Sequence, residues 1–237
     1  MKLPRIRVVL AISLDGRLAF PHQASKPLGG KGDRHYLEKS LAWADGALIG
    51  GGTIRAHCNT CLIHDEVLLK KRTEEGRPKQ PIAVVISSQK DFCQKWSFFN
   101  QPIKRWLISP SQISSQFSGG PPVGYERQFF MQENWANTLS QLTKAGLKRL
   151  VLLGGAHLVG SFLQADQVDE LQLTLTPKII GGDYSWVPNN IENLPTELSQ
   201  SDAWLLSENK SIGDNELLLH YIRNYSSSAK KNIKNES

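Results

Sequence analysis

The sequence contains few cysteines and no long apolar segment. Its three cysteines among 237 residues are an odd, low number, which is typical of a protein from a reducing compartment. No segment approaches the ~20 consecutive apolar residues that a membrane-spanning helix needs. The apolar part of the amino terminus, residues 8–12, is too short for the core of a signal peptide. We therefore expect a cytoplasmic protein with no membrane partner.

Positive charges only slightly outnumber negative ones. The net charge is +6, and part of it lies in the polar tail, residues 226–237, where three lysines accompany one glutamate. We expect that tail to be disordered and residues 1–225 to form one domain. The chain shows neither a basic helix nor the alternation of basic and aromatic residues that RNA-binding proteins use. Its charge suits an anionic small molecule, so no nucleic acid partner is expected.

Potential metal ligands are concentrated in one short segment. His57, Cys58, Cys61 and His64 lie within eight consecutive residues. A structural zinc site usually takes a second pair of ligands from a distant segment, and the sequence offers no such pair. We therefore predict that this segment binds no metal.

Two strand–glycine–helix turns are the most informative features that are present. In residues 149–165 an apolar run enters Gly154 and Gly155 and continues with helical periodicity. In residues 45–56 a second apolar run enters Gly50–Gly52 and Thr53. A helix that begins at glycines exposes backbone N–H groups and the positive end of its dipole to an anion. The pair of turns predicts a nucleotide or a phosphorylated ligand held at the edge of a sheet.

Hydrophobic patterns predict an α/β fold. Strands are predicted where short apolar or alternating runs end at turn residues, namely at Arg5–Ser13, Ile82–Ile86, Arg105–Ser109, residues 124–130 and Glu170–Thr176. Residues 204–207 and 217–222 flank a Gly-Asp-Asn turn, which predicts a hairpin. We expect one mixed, mostly parallel sheet with helices on both faces and an antiparallel edge at its C-terminal end.

Helix boundaries and one further strand are predicted from local signals. Asp33 is expected to cap a helix that carries Leu41 on its apolar face. Asn134 is expected to cap a second helix that stops at Gly146. Residues 17–20 follow an Asp-Gly turn and are expected to return as a short strand.

Five motifs, in order, resemble those of one enzyme family: residues 11–16 (AISLDG), 50–53 (GGGT), 153–155 (LGG), 168–171 (VDEL) and 176–182 (TPKIIGG). Over residues 5–224 the chain resembles the C-terminal reductase domain of the bifunctional riboflavin-biosynthesis deaminase-reductase, which has a dihydrofolate-reductase-like fold. The zinc deaminase half of such an enzyme would need a Pro-Cys-x-x-Cys motif, and the sequence contains none. We therefore expect a stand-alone reductase.

The resemblance implies reduction of the ribosyl group of 5-amino-6-(5-phosphoribosylamino)uracil to a ribityl group. It implies NADPH as cofactor, a phosphorylated pyrimidine as substrate and a homodimer. Ala11 and Thr53 would line the nicotinamide, and Ser88, near Lys90, would contact the 2′-phosphate. The cofactor pyrophosphate would lie on residues 154–161, that is, on Gly154, Gly155, Ala156, His157, Leu158, Val159, Gly160 and Ser161. The substrate contacts that align are Ser25, His64 and Leu153.

Hydride transfer requires close positioning of donor and acceptor carbon, and a proton donor assists it. Asp15 and His57 are the candidate donors.

The substrate side departs from the family pattern. Leu153 replaces a glutamate, His57 replaces an aspartate, and Leu41 and His64 align with arginines. Lys26, Lys31 and Arg55 lie close enough in sequence to the expected mouth to bind the phosphate instead. Two alternatives therefore stay open: an NADPH-dependent reductase of another heterocycle such as a pterin, and a protein that binds NADPH without catalysis.

Overall fold

The computed structural model describes residues 2–21, 26–89, 92–110, 120–191 and 193–225. Its strands are β1 (Arg5–Ser13), β2 (Gly46–Gly50), β3 (Ile82–Ile86), β4 (Arg105–Ser109), β5 (Arg127–Phe130), β6 (Arg149–Leu152), β7 (Glu170–Thr176), β8 (Trp204–Ser211) and β9 (Leu217–Arg223). Its helices are α1 (Lys31–Trp43), α2 (Gly51–His57), α3 (Glu66–Glu74), α4 (Ser97–Asn100), α5 (Trp135–Lys144) and α6 (Ala156–Gln164), with a 3₁₀ turn at Thr196–Ser199. The predicted tail, residues 226–237, lies outside the described residues.

The strands form one sheet in the order β5-β4-β3-β2-β6-β1-β7-β9-β8. Strands β5 to β7 in that order are parallel, and β9 and β8 are antiparallel. The predicted mixed sheet with an antiparallel C-terminal edge is therefore confirmed. The chain moves outward from β2 to β5 and then returns with β6 between β2 and β1. The carboxyl ends of β1, β6 and β2 thus lie side by side, at the reversal of strand order where α/β sheets bind ligands.

Helices cover both faces of the sheet, as predicted. Along β1, Val8 and Leu10 pack in one cluster with Phe162 of α6. Val9, which points the other way, packs with Leu41 of α1. Successive strand side chains alternate between faces, so the uninterrupted apolar run in β1 reflects burial on both sides.

Two local predictions are corrected. The N-cap of α1 is Gly30, not Asp33, which lies in the first helical turn. Gly30 takes the cap position because its N–H donates over 2.8 Å to the carboxylate of Glu216, which is distant in sequence and lies just before β9. Residues 17–20 form no continuous strand: they carry isolated bridge residues only, at Arg17, which pairs with Ser185, and at Phe20.

Helix α3 and the second half of strand β8 lack the hydrophobic periodicity by which helices and strands are predicted from sequence. Helix α3 is capped by Asp65, whose carboxylate accepts from Val67 N at 2.9 Å, but its charged sequence shows almost no apolar stripe. Strand β8 continues to Ser211 because it lies at the sheet edge, where its side chains are exposed and need no alternation. None of the helices within the described ranges is long and apolar enough to cross a membrane.

Candidate active site

The two glycine turns meet at the carboxyl edge of the sheet. Strands β2 and β6 are parallel neighbours, and Leu153 N donates to Leu48 O over 3.0 Å just beyond the paired residues. Gly50 N donates to Gly154 O, also over 3.0 Å. Two segments that are far apart in sequence therefore form one continuous surface.

The first turn of α6 fits the role of an anion site. Gly155 is the N-cap, and its carbonyl accepts from Leu158 N and Val159 N at 3.0 and 3.1 Å. The first N–H groups of a helix have no acceptor within it, and Gly155 has no side chain to cover them. A Cβ atom there would lie 3.1 Å from Thr53 Oγ1. The peptide between Gly154 and Gly155 is cis.

The later residues of the predicted pyrophosphate segment lie in the core or against other elements. Val159 is fully buried in the core. Gly160 packs against the segment after β7, where an added Cβ would lie 1.8 Å from Ile191 Cδ1. Ser161 Oγ accepts from Trp135 Nε1 at 2.6 Å and so joins α6 to α5. Only the first turn of a helix exposes N–H groups. Leu158 N already donates to Gly155 O, and Gly154 O accepts from Gly50 N, so Gly155, Ala156 and His157 are the residues whose N–H groups this turn offers to a ligand.

A second group of polar residues lies beyond β2, at the end of β3. Ser88 is exposed, and Ser87 Oγ accepts from Gln89 N at 3.0 Å. A Cβ atom on Gly51 would lie 2.6 Å from Ser87 Oγ and 3.4 Å from Arg55 Nη1. The Arg55 guanidinium and the Ser87 hydroxyl therefore both lie close to Gly51, at the start of α2. Lys90 and Ser25, both singled out in the sequence, lie outside the described residues.

Asp15 links two of the family-like motifs. Its carboxylate accepts from Ser13 Oγ at 2.5 Å, from Ile180 N at 3.1 Å and from Gly181 N at 2.7 Å. The bonds from Ser13 and Gly181 hold the pKa of Asp15 well below its ordinary value. A carboxyl group that stays ionised has no proton to give at neutral pH. The geometry thus argues against the predicted proton donor and explains Asp15 as the tie between the loops after β1 and β7.

The residues from His57 to His64 do not converge on one point. His57 ends α2, and partial burial lowers the pKa of its ring. The backbone N–H groups of His64 and Asp65 donate to Glu38 Oε2 at 2.7 and 2.9 Å, while the His64 side chain is exposed. No group of three or more potential metal ligands is close enough to hold an ion in the part of the chain that the structure describes.

Two other predicted positions are clearly placed. Leu153 packs partly buried against the clusters beneath α1 and α2, so it offers no polar contact. Ala11 is half-buried near the carboxyl end of β1, in register with Thr174 of β7.

Comparison with known proteins identifies the family. The model of the family described as "RibD C-terminal domain" matches residues 4–209. The chain belongs to this family. Riboflavin biosynthesis protein RibD of Haemophilus influenzae is 30% identical over 218 residues, which cover 90% of this chain and 57% of that relative. The chain thus spans little more than half of that protein.

Two further similarities bear on the site. The 2,5-diamino-6-ribosylamino-4(3H)-pyrimidinone 5′-phosphate reductase of Archaeoglobus fulgidus is 25% identical, over 76% of this chain and 83% of its own. A Thermotoga maritima crystal structure, named as a diaminohydroxyphosphoribosylaminopyrimidine deaminase/5-amino-6-(5-phosphoribosylamino)uracil reductase, superposes with a TM-score of 0.71. It is 17% identical, and the match covers 94% of this chain and 57% of that one. This likeness shows the fold, which is that of these reductase domains.

Proposed function

We propose that the chain is an NADPH-dependent reductase of the riboflavin pathway. It converts the ribosyl group of a phosphorylated 5-amino-6-ribosylaminopyrimidine into a ribityl group, in the cytoplasm and as a homodimer. The observation that carries the proposal is the junction of the two glycine turns, Gly50 against Gly154, beside Ala11 at the carboxyl edge of β1. Family membership supports the same reaction.

The residues present fit the cofactor. The bare first turn of α6 receives the pyrophosphate at Gly155, and Thr53 lies against it. NADPH bound here would supply a hydride; the reduction requires that this hydride add to C1′ of the ribosyl group, that the C1′–O4′ bond break and that O4′ take up a proton. In this proposal the proton donor is His57, because Asp15 is held ionised, and His57 acts from the minor protonated fraction that its lowered pKa leaves at neutral pH.

The test is turnover by the purified protein. NADPH is mixed with 5-amino-6-(5-phosphoribosylamino)uracil, with its 2-amino counterpart, and separately with dihydrofolate, and cofactor oxidation is followed by absorbance. Turnover of either ribosylaminopyrimidine supports the proposal. Turnover of dihydrofolate alone supports the pterin alternative, which the apolar Leu153 favours. Tight NADPH binding without any turnover supports the non-catalytic alternative.

Arg55 is expected to decide the preference for NADPH over NADH, together with Ser88. Its guanidinium lies beside Ser87, where the loss of a charge-assisted bond to the 2′-phosphate costs about 1.5–3 kcal/mol. We expect at least a tenfold higher kcat/KM for NADPH in the natural protein and a loss of most of that ratio in Arg55→Ala. The measurement is kcat/KM with both cofactors.

The matched control for this prediction is Lys70→Ala, which removes an exposed cation from α3. It should leave the ratio unchanged. If Arg55→Ala lowered kcat/KM equally for NADPH and NADH, Arg55 would not contact the 2′-phosphate.

A further inference from the structure

Asp33 and Glu216, two carboxylates, come close to each other and to Thr174 on the α1 side of the sheet, where they form an acidic pocket. Asp33, in the first turn of α1, is half-buried with its carboxylate folded over Gly29, where a Cβ atom would lie 2.1 Å from Asp33 Oδ2. Burial raises the pKa of Asp33, hydrogen bonding by the Thr174 hydroxyl opposes this, and the charge of Glu216 raises it further. The Asp33 carboxylate is therefore a half-buried anion that has a hydroxyl partner in Thr174 and a second carboxylate, Glu216, nearby.

Glu216 is more deeply buried than Asp33, and one of its carboxylate oxygens lacks a hydrogen bond. Its side chain is only 2% exposed, and Oε1 accepts from Gly30 N at 2.8 Å. Oε2 is buried and has no hydrogen-bond partner among the residues that the structure describes. An unsatisfied buried carboxylate oxygen is costly, so it marks a place where a ligand with N–H donors would be stabilised.

The pocket adjoins the site described above. Thr174 is 2% exposed and lies in register with Ala11 on the neighbouring parallel strand. Residues paired in this way project from the same face of a sheet. The acidic pocket of Asp33 and Thr174 thus lies directly beside Ala11, the residue proposed to line the nicotinamide, where the substrate heterocycle has to be.

The two reductase names among the similar proteins differ at one position of the heterocycle. A 2-amino-4(3H)-pyrimidinone presents a 2-amino group next to N3–H, two donors spaced to match the two oxygens of a carboxylate. A uracil presents N3–H next to the C2 carbonyl oxygen, an acceptor that would face the carboxylate. Sites built for a donor strongly reject an analogue that lacks it.

We propose that Asp33, assisted by Thr174 and backed by Glu216, binds the 2-amino and N3–H edge of the pyrimidine and so selects the 2-amino substrate over the uracil. This inference rests on the proposed function. Reduction then comes before loss of the 2-amino group, and the reaction that consumes the product is a hydrolytic deamination at C2.

The experiment compares kcat/KM for the 2-amino and uracil substrates with saturating NADPH. We expect the natural protein to prefer the 2-amino substrate by about 10–100-fold. In Asp33→Asn the amide offers one donor and one acceptor, which match N3–H and the C2 carbonyl of uracil. The preference should fall to near unity or reverse, mostly through KM, while the Kd of NADPH is unchanged.

Asp214→Asn is the matched control. Its carboxylate also approaches Gly30, where a Cβ atom would lie 2.4 Å from Asp214 Oδ2, but it is exposed, and asparagine tolerates the positive φ of 52° at this position. This variant should keep the preference of the natural protein. Thr174→Val, which removes the hydroxyl at nearly constant volume, should reduce the preference in the same direction and tests the pocket even if Asp33→Asn folds poorly.

The outcomes separate this inference from the proposed function. Equal turnover of both substrates by the natural protein, or a preference for the uracil, would overturn the inference and leave the reductase function standing. An unchanged preference in both Asp33→Asn and Thr174→Val would overturn the assignment of the pocket. Tight NADPH binding with turnover of neither substrate would instead overturn the proposed function.

Discussion

Replacement of Gly155 by aspartate is expected to raise the Kd of NADPH at least 100-fold. Gly155 caps α6, and the absence of a side chain there leaves the first N–H groups of the helix open to the pyrophosphate. An aspartate would place a negative charge where the phosphates bind, and like charges brought together cost several kcal/mol. A 100-fold change corresponds to about 2.7 kcal/mol.

The control for this prediction is Gly155→Ala, which adds the same Cβ atom 3.1 Å from Thr53 Oγ1 without the charge. We expect it to weaken NADPH binding far less than Gly155→Asp. Binding is measured by quenching of tryptophan fluorescence, and thermal unfolding establishes that each variant is folded. Unchanged affinity in a folded Gly155→Asp protein would show that the pyrophosphate binds elsewhere.

The second large effect is expected on stability, at Glu170. This carboxylate is 2% exposed and accepts from Arg7 Nε at 2.5 Å, contacts His220 Nε2 at 2.9 Å and pairs with Arg5. Burial alone would raise the pKa, but the hydrogen bond with His220 and the charges of Arg7 and Arg5 hold the pKa of Glu170 at about 2. Glu170→Gln is expected to lower the free energy of unfolding at pH 7 by roughly 3 kcal/mol.

The pH dependence of this effect has a definite sign. Because the pKa in the folded protein lies below the ordinary value of 4.5, the stabilisation is complete above pH 4.5 and disappears as the pH falls towards 2. In urea unfolding at pH 7, 5 and 3, the difference in free energy of unfolding between the natural protein and Glu170→Gln should become smaller as the pH falls. The exposed Glu133→Gln serves as control. A difference that persists unchanged at pH 3 would show that packing, not charge, accounts for the loss.

The sequence by itself determined most of the architecture. Strands β1, β3, β4 and β7 begin and end at the predicted residues, because short apolar or alternating runs between turn residues have few other solutions. The cap of α5 is Asn134, as predicted, and its side chain accepts from Asn137 N at 2.8 Å. Both glycine turns were also visible, since they depend only on neighbours in the chain.

What only the tertiary structure decided is which residues meet. Strand β6 pairs between β2 and β1, and this brings Gly154 against Gly50. The position of a strand within a sheet is not encoded in any local sequence pattern. The role of Asp15 depended on N–H groups from the loop after β7. Asp33 has the sequence signal of a helix cap, but the cap is Gly30, whose N–H donates to the carboxylate of Glu216 just before β9. The charge and hydrogen bonding of a side chain depend on neighbours that the fold supplies, so its chemistry follows from three-dimensional contacts rather than from spacing in the sequence.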